Sequence, residues 1–244
     1  MAGERRDSSL SLLLPQAGPV REEEALPALL CGVDEAGRGC LAGPVVAAAV
    51  IFPPGFDFAL LPNLTDSKKL SEKQRLVLEP LIRRHAAGFA LGLASAQEID
   101  SINILNATFR AMSRAVHGLL HRYAGDTSPL ELRIDGDKII PPAQWLPALR
   151  RPRFSLPAQA AIVGGDALVP AISAASILAK NLRDRLLIAA DAHHPNYGFA
   201  RHKGYGTPPH LAALKRFGPC PLHRRTFAGV TPQDAPITQG TLLG

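Results

Sequence analysis

Cysteine is scarce: Cys31, Cys40 and Cys220 are the only three in 244 residues, and no two stand in a CxxC spacing. An odd number cannot pair completely, which argues against a disulfide scaffold and against a cysteine-built zinc site. Long apolar runs are also missing. The longest, Gly43 to Phe52, is stopped by Pro53-Pro54 and falls short of the ~18 residues that mark a membrane span. Arg5-Arg6 is followed only by Leu10 to Leu14, interrupted at Ser11, so no secretory signal is read. A cytoplasmic protein with no membrane contact is expected. Internal repeats and long low-complexity tracts are absent as well. Charged residues are few, at 20% against 46% hydrophobic, a balance that excludes a wholly disordered chain.

What is present reads as one large α/β domain over residues 30–230, between a leader (1–29) without periodicity and a tail (231–244). Leu29 to Val33 is a short apolar strand running into Asp34-Glu35, and Pro44 to Phe52 is an uncharged, buried strand. Ser71 with Gln74 three residues on forms a capping box for a helix reaching about His85. Phe89 to Ala94 reads as a third strand, and Glu98 to Tyr123 as a helix in two pieces near Asn103. Leu130 to Asp135 and Ala158 to Val163 are two more strands. A helix follows Asp166 and runs to about Ala192, with Pro170 in its first turn. Three early strands followed by helix–strand alternation indicate a mixed sheet covered by helices.

The carboxylates fall at strand ends: Asp34-Glu35 after the first, Asp135 after the fourth, Asp166 after the fifth. Any one of them alone is commonly a turn former or helix cap. Four meeting in one cleft would repel strongly unless cations sat among them, and hard oxygen donors without thiolates favour Mg²⁺ or Mn²⁺. Asp184, between Arg183 and Arg185, has the surroundings of a surface ion-pair network and is read as structural. The histidines of the C-terminal part show no zinc-binding spacing.

Gly37-Arg38-Gly39 follows the acidic pair directly. It is either an ordinary glycine turn or one that lets backbone N–H groups approach a ligand while Arg38 meets phosphate. Lys68 and Lys69 precede the capped helix, suited to phosphate or simply to solvent. Residues 192–244 hold six Lys/Arg against one acidic residue and five of the eight histidines, a basic segment suited to a polyanion. Within it, Tyr197 to Thr207 interleaves aromatics, cations and glycines, as in loops that stack on bases or sugars. Phe199 is assigned to the core.

Gly32-Val33-Asp34-Glu35-Ala36-Gly37-Arg38-Gly39 resembles the opening motif of ribonuclease HII. The likeness continues through Gly43 to Val50, Asp66-Ser67-Lys68-Lys69-Leu70-Ser71, Asp135-Gly136, Gly165-Asp166, Ile172 to Lys180 and His202-Lys203-Gly204-Tyr205-Gly206-Thr207. The resemblance implies a ribonuclease H-like fold, a mixed five-stranded sheet flanked by helices with a helical C-terminal portion. It further implies a metal-dependent endonuclease that cuts the RNA strand of RNA–DNA hybrids and ribonucleotides embedded in duplex DNA, acting as a monomer with Mn²⁺ or Mg²⁺. Asp34, Glu35 and Asp135 would be the main metal ligands, and Asp166 would complete the catalytic four. Gly37, Arg38 and Gly39 would read the ribose 2′-OH, Lys68, Lys69 and Lys203 would contact phosphates, and Tyr205 would stack at the RNA–DNA junction. Gly165 and Asn181 stand where the family often has Lys and Val. An inactive nucleic-acid-binding protein and a DNA-directed nuclease of the same fold are the alternatives.

Overall fold

Strand β1 spans Leu29–Ala36, three residues longer than the apolar run suggests, so Asp34 and Glu35 belong to its last turn of pleat rather than to a loop. It is seen in a computed structural model that describes residues 29–123, 130–147 and 156–231. The expected leader and tail lie almost entirely outside the described residues. Strand β2 (Val45–Ile51) is buried at every position, as its lack of charge predicts. After helix α1 (Glu72–His85), whose capping box of Ser71 and Gln74 is fully formed, come β3 (Gly88–Ala94) and α2 (Ala96–Arg122). Helix α2 begins two residues before the expected start because a second capping box, Ser95 with Glu98, opens it, and Asn103 at φ 66° breaks it as foreseen. Strands β4 (Leu130–Asp135) and β5 (Ala158–Ile162) complete the sheet.

Strand order is β3-β2-β1-β4-β5. The first three strands pair antiparallel, while β4 and β5 run parallel to β1, giving the expected mixed sheet. Beyond β5 follow the four-residue α3 (Gly165–Leu168), the long α4 (Pro170–His193), α5 (Phe199–His202) and α6 (Pro208–Phe217). The single helix expected from Asp166 onward is therefore two. Val169 has extended backbone and Pro170 starts afresh, because proline disfavours helical backbone in the residue before it.

Side chains alternate across a strand, and β2 shows how this builds two cores. Val45, Ala47, Ala49 and Ile51 face α2, with Trp145 and Ile140 beside them. Val46, Ala48 and Val50 face α1 and α4. On β1 the same alternation leaves Gly32 under α4. A Cβ there would sit 2.1 Å from the carbonyl carbon of Ala171, so only glycine lets the start of α4 lie directly on the sheet. That contact places α3, and with it Asp166, over the ends of β1 and β4. A third core joins Ala42, Leu187, Phe199 and Leu214, fastening the C-terminal helices to the edge of the site and placing Phe199 in the interior as assigned.

Candidate active site

Strands β1 and β4 are parallel neighbours, so Asp34 and Asp135 emerge at the same edge of the sheet. The turn after β4 is held by the Gly136 N–H donating to the Ile162 carbonyl at 3.0 Å. Asp166 arrives from α3, and its backbone N–H donates to Asp135 Oδ1 at 3.2 Å. Asp34, Asp135 and Asp166 each offer a carboxylate oxygen within 4.8 Å of the others. Glu35 is not in that trio. As the next residue of β1 it points to the opposite face, toward α2, with Arg38 Nη1 at 3.5 Å from its Oε1. It nevertheless lines the same cleft as Asp34 and Asp135.

Charge in this arrangement is under strain. Burial, followed by repulsion from Glu35 and Asp135, lifts the proton affinity of Asp34 well above the usual carboxylate range. Asp166 is raised by burial and by Asp135, and Glu35 by burial, against the pull of Arg38. Lys68 Nζ stands 3.4 Å from Asp166 Oδ2. Although burial works the other way, the carboxylates of Asp166, Asp34 and Asp66 raise its affinity for the proton.

The cleft beside the trio has a volume of about 290 Å³ and is lined by Gly37, Arg38, Gly39, Lys68, Lys180 and Tyr205 as well as Asp34, Glu35 and Asp135. Gly37 and Gly39 differ sharply. Gly37 has φ +97°, and a Cβ on it would meet Arg183 Nε at 2.0 Å; a Cβ on Gly39 meets nothing within 4 Å. Tyr205 keeps 44% of its surface exposed, with Arg183 and Lys180 each near one face or edge of its ring, at 5.8 and 5.9 Å from the centroid. Lys69 is exposed and does not line the cleft. Neither does Lys203, whose Nζ donates to the Ala200 carbonyl within its own loop. Asp137 is exposed and pairs with Lys138, so Asp135 and not Asp137 is the member of the trio.

A family model described as Ribonuclease HII matches residues 31–230. The chain belongs to the ribonuclease HII family. A ribonuclease HII from Oleidesulfovibrio alaskensis is 52% identical over 241 residues, covering 94% of this chain and 90% of that protein. One from Nitratidesulfovibrio vulgaris is 53% identical over 217 residues, covering 89% and 94%. Among solved structures, the ribonuclease H2 of Pyrococcus horikoshii aligns with a TM-score of 0.64 at 25% identity, covering 82% of this chain and 94% of that one. Bst-RNase HIII in complex with Mn²⁺ shares the fold, with a TM-score of 0.64 at 15% identity over 85% of this chain and 69% of its own. Membership makes this protein a metal-dependent endoribonuclease of the HII type. Among the described residues no helix is long and apolar enough to cross a membrane.

Two departures from the usual ribonuclease HII pattern have physical settings. At Gly165 a Cβ would lie 2.6 Å from Ile172 Cδ1 and 3.1 Å from Ile162 Cβ, so a side chain there requires Ile172 to shift; the cation beside Asp166 is Lys68. Asn181 bridges α4 to α1, donating to the Arg75 carbonyl at 3.1 Å and to Glu79 Oε2 at 2.9 Å. Asp184 is a correction. It is buried, not on a surface, and holds Arg75 Nη2 at 3.2 Å and Lys180 Nζ at 2.7 Å, so its ion pairs join α1 to α4 beneath the cleft wall.

Sequence reasoning missed Arg183 and Arg224. Both are completely buried, and both end on backbone carbonyls around the 37–44 segment. Arg224 lies in the run His223-Arg224-Arg225, whose only visible signal is basic charge, shared with the whole segment read as suited to a polyanion.

Proposed function

We infer that this protein hydrolyses the RNA strand of RNA–DNA hybrids and cuts at ribonucleotides embedded in duplex DNA, leaving 5′-phosphate and 3′-hydroxyl ends. The observation that carries the reading is the meeting of three carboxylates within 4.8 Å, two of which, Asp34 and Asp135, line a cleft shared with a glycine turn and a tyrosine ring.

The donor set fits Mn²⁺ or Mg²⁺: among the described residues it consists of carboxylate oxygens alone, with no thiolate or imidazole in the group. Burial that penalises their charge favours a divalent partner. Asp34, Glu35 and Asp135 are assigned as metal ligands, with Asp166 completing the catalytic group. When bound there, such ions activate the attacking water and stabilise the leaving 3′-oxygen. Glu35 contributes although it stands outside the trio, since Asp135 is close enough to raise its proton affinity.

Distinguishing RNA from DNA depends on the 2′-OH, which backbone N–H groups can reach where a side chain would intervene. The open space over Gly39 supports this role for Gly37, Arg38 and Gly39. Lys68 is placed to meet a phosphate at the cleft mouth, with Lys69 and Lys203 as outer phosphate contacts. The half-exposed Tyr205 ring offers a stacking face. The partner is accordingly an RNA–DNA hybrid or a ribonucleotide-containing duplex, engaged by one copy of the chain.

The deciding experiment compares a DNA duplex carrying one ribonucleotide with its all-deoxy equivalent, titrating Mn²⁺ and Mg²⁺ and adding EDTA. Cutting only at the ribonucleotide, only with metal, and lost in Asp34→Asn is the expected result. Equal cutting of the all-deoxy duplex would instead indicate a DNA-directed nuclease. Binding without cutting at any metal concentration would indicate a protein that kept only recognition.

A further inference from the structure

Arg224 has an unusual set of partners. Its Nη2 donates to the Gly37 carbonyl at 2.7 Å, Nη1 to the Arg38 carbonyl at 2.8 Å and Nε to the Gly43 carbonyl at 3.0 Å. The side chain is fully buried, and among the described residues no carboxylate lies within ion-pair distance. A planar guanidinium spreads five donors over three nitrogens and can span three separated carbonyls; an ammonium gathers its three donors on one nitrogen.

In a trans peptide the C=O and the following N–H point in opposite directions. Turning the Gly37 and Arg38 carbonyls inward onto Arg224 therefore turns the N–H groups of Arg38 and Gly39 outward. Neither of these N–H groups has a protein acceptor among the described residues, and the space above Gly39 is open. Two successive outward amides form a concave donor pair of the kind that binds oxygen ligands.

The same short segment grips the tyrosine loop. Cys220 N–H donates to His223 Nδ1, His223 and His210 meet at 2.9 Å through their Nε2 atoms, and His210 Nδ1 lies 2.8 Å from the Tyr205 carbonyl. One neutral tautomer set satisfies the whole chain: His223 donates from Nε2 and His210 from Nδ1. Residues 220–224 thus hold both elements that face the substrate. A buried cation without an ion-pairing acid, sharing adjacent carbonyls, those of Gly43 and Ala42, with the equally buried Arg183, is a costly device for stability alone.

We propose that Arg224 is a positioning residue for substrate recognition, holding the 37–39 turn so that the Arg38 and Gly39 amides face the cleft in register with Tyr205. The proposal rests on the reading of that turn as the 2′-OH contact. The test uses the full chain with Arg224→Gln, Arg224→Lys and, as a control on the reading itself, Gly39→Ala. Cleavage of the single-ribonucleotide duplex, amide hydrogen exchange across residues 37–43 and the Mn²⁺-induced rise in Tm are measured for each.

Arg224→Gln is expected to lower kcat/KM roughly tenfold to a hundredfold and to speed exchange across 37–43, with the Mn²⁺ response kept. Arg224→Lys should recover part of both losses, and it serves alone if the glutamine variant does not fold. Wild-type cleavage in a folded Arg224 variant, or unchanged exchange across 37–43, overturns the proposal. If Gly39→Ala cuts like the wild type, the reading of the turn fails and the proposal with it. Slow Gly39→Ala beside fully active Arg224 variants leaves the reading standing and removes the role of Arg224.

Discussion

Lys68 Nζ reaches Asp166 Oδ2 at 3.4 Å while most of its side chain, 74%, stays in solvent. A pair so exposed on one side contributes at most about 1 kcal/mol to folding. Its value lies in holding a cation at the rim of an acidic cluster.

Lys68→Ala should therefore leave the urea midpoint almost unchanged and weaken binding to hybrid. The slope of log affinity against log salt should become shallower by about one. Fluorescence titrations at several KCl concentrations read this directly; an unchanged slope would remove Lys68 from phosphate binding.

Asp34, Glu35 and Asp166 all hold protons more tightly in the fold than free carboxyls do, chiefly through burial. The folded chain then binds more protons than the unfolded one, so metal-free stability falls as pH rises from the ordinary carboxylate range toward the raised folded values. The wild type's Tm in EDTA should therefore fall relative to that of Asp34→Asn as pH rises out of the ordinary carboxylate range, and Mn²⁺ should restore it. Asp34→Asn removes one of the repelling charges, so its EDTA Tm should exceed the wild type's at pH 8, at about 2–4 °C per kcal/mol for a chain of this size. The Mn²⁺ increment should shrink in the same variant. A lower EDTA Tm in Asp34→Asn would contradict this account.

Asp184 and Asp166 are expected to fail in opposite ways. Asp184→Ala leaves Arg75 buried without its carboxylate, and breaking such a pair costs about 3–5 kcal/mol. Urea unfolding should register that loss, while activity per folded molecule at low temperature should stay near wild type. Asp166→Ala should abolish cutting with little loss of stability.

Gly32→Ala should destabilise the fold by about 1–3 kcal/mol or more, because the new methyl meets main chain rather than a movable side chain. Moving α4 off the sheet also displaces Asp166, so cutting by the folded fraction should fall too. Normal turnover in this variant would show that α3 holds its place without the contact.

Most of the framework was legible from residues close together in the sequence. An uncharged Val/Ala run announced β2, Ser71 with Gln74 announced α1, and Asn103 announced the break in α2. Each signal acts within a few residues of the structure it causes. The acidic positions were legible because strand ends are local features, but the face each side chain takes was not. Asp34 and Glu35 are adjacent, and only their pleat sends one to the trio and the other toward Arg38. The break at Val169 was obscured by a helical pattern on both sides of Pro170. Least legible were Arg183 and Arg224, since carbonyl acceptors leave no mark in a sequence. Their partners around the 37–44 segment lie 139 to 187 residues away.

That last separation has a bearing on biosynthesis. The turn at 37–39 leaves the ribosome early, yet the guanidinium that ties down its carbonyls is supplied by position 224. A nascent chain can lay down β1, β2 and β3 with the 37–39 turn still untethered. Translation must run almost through the domain before that tether can form.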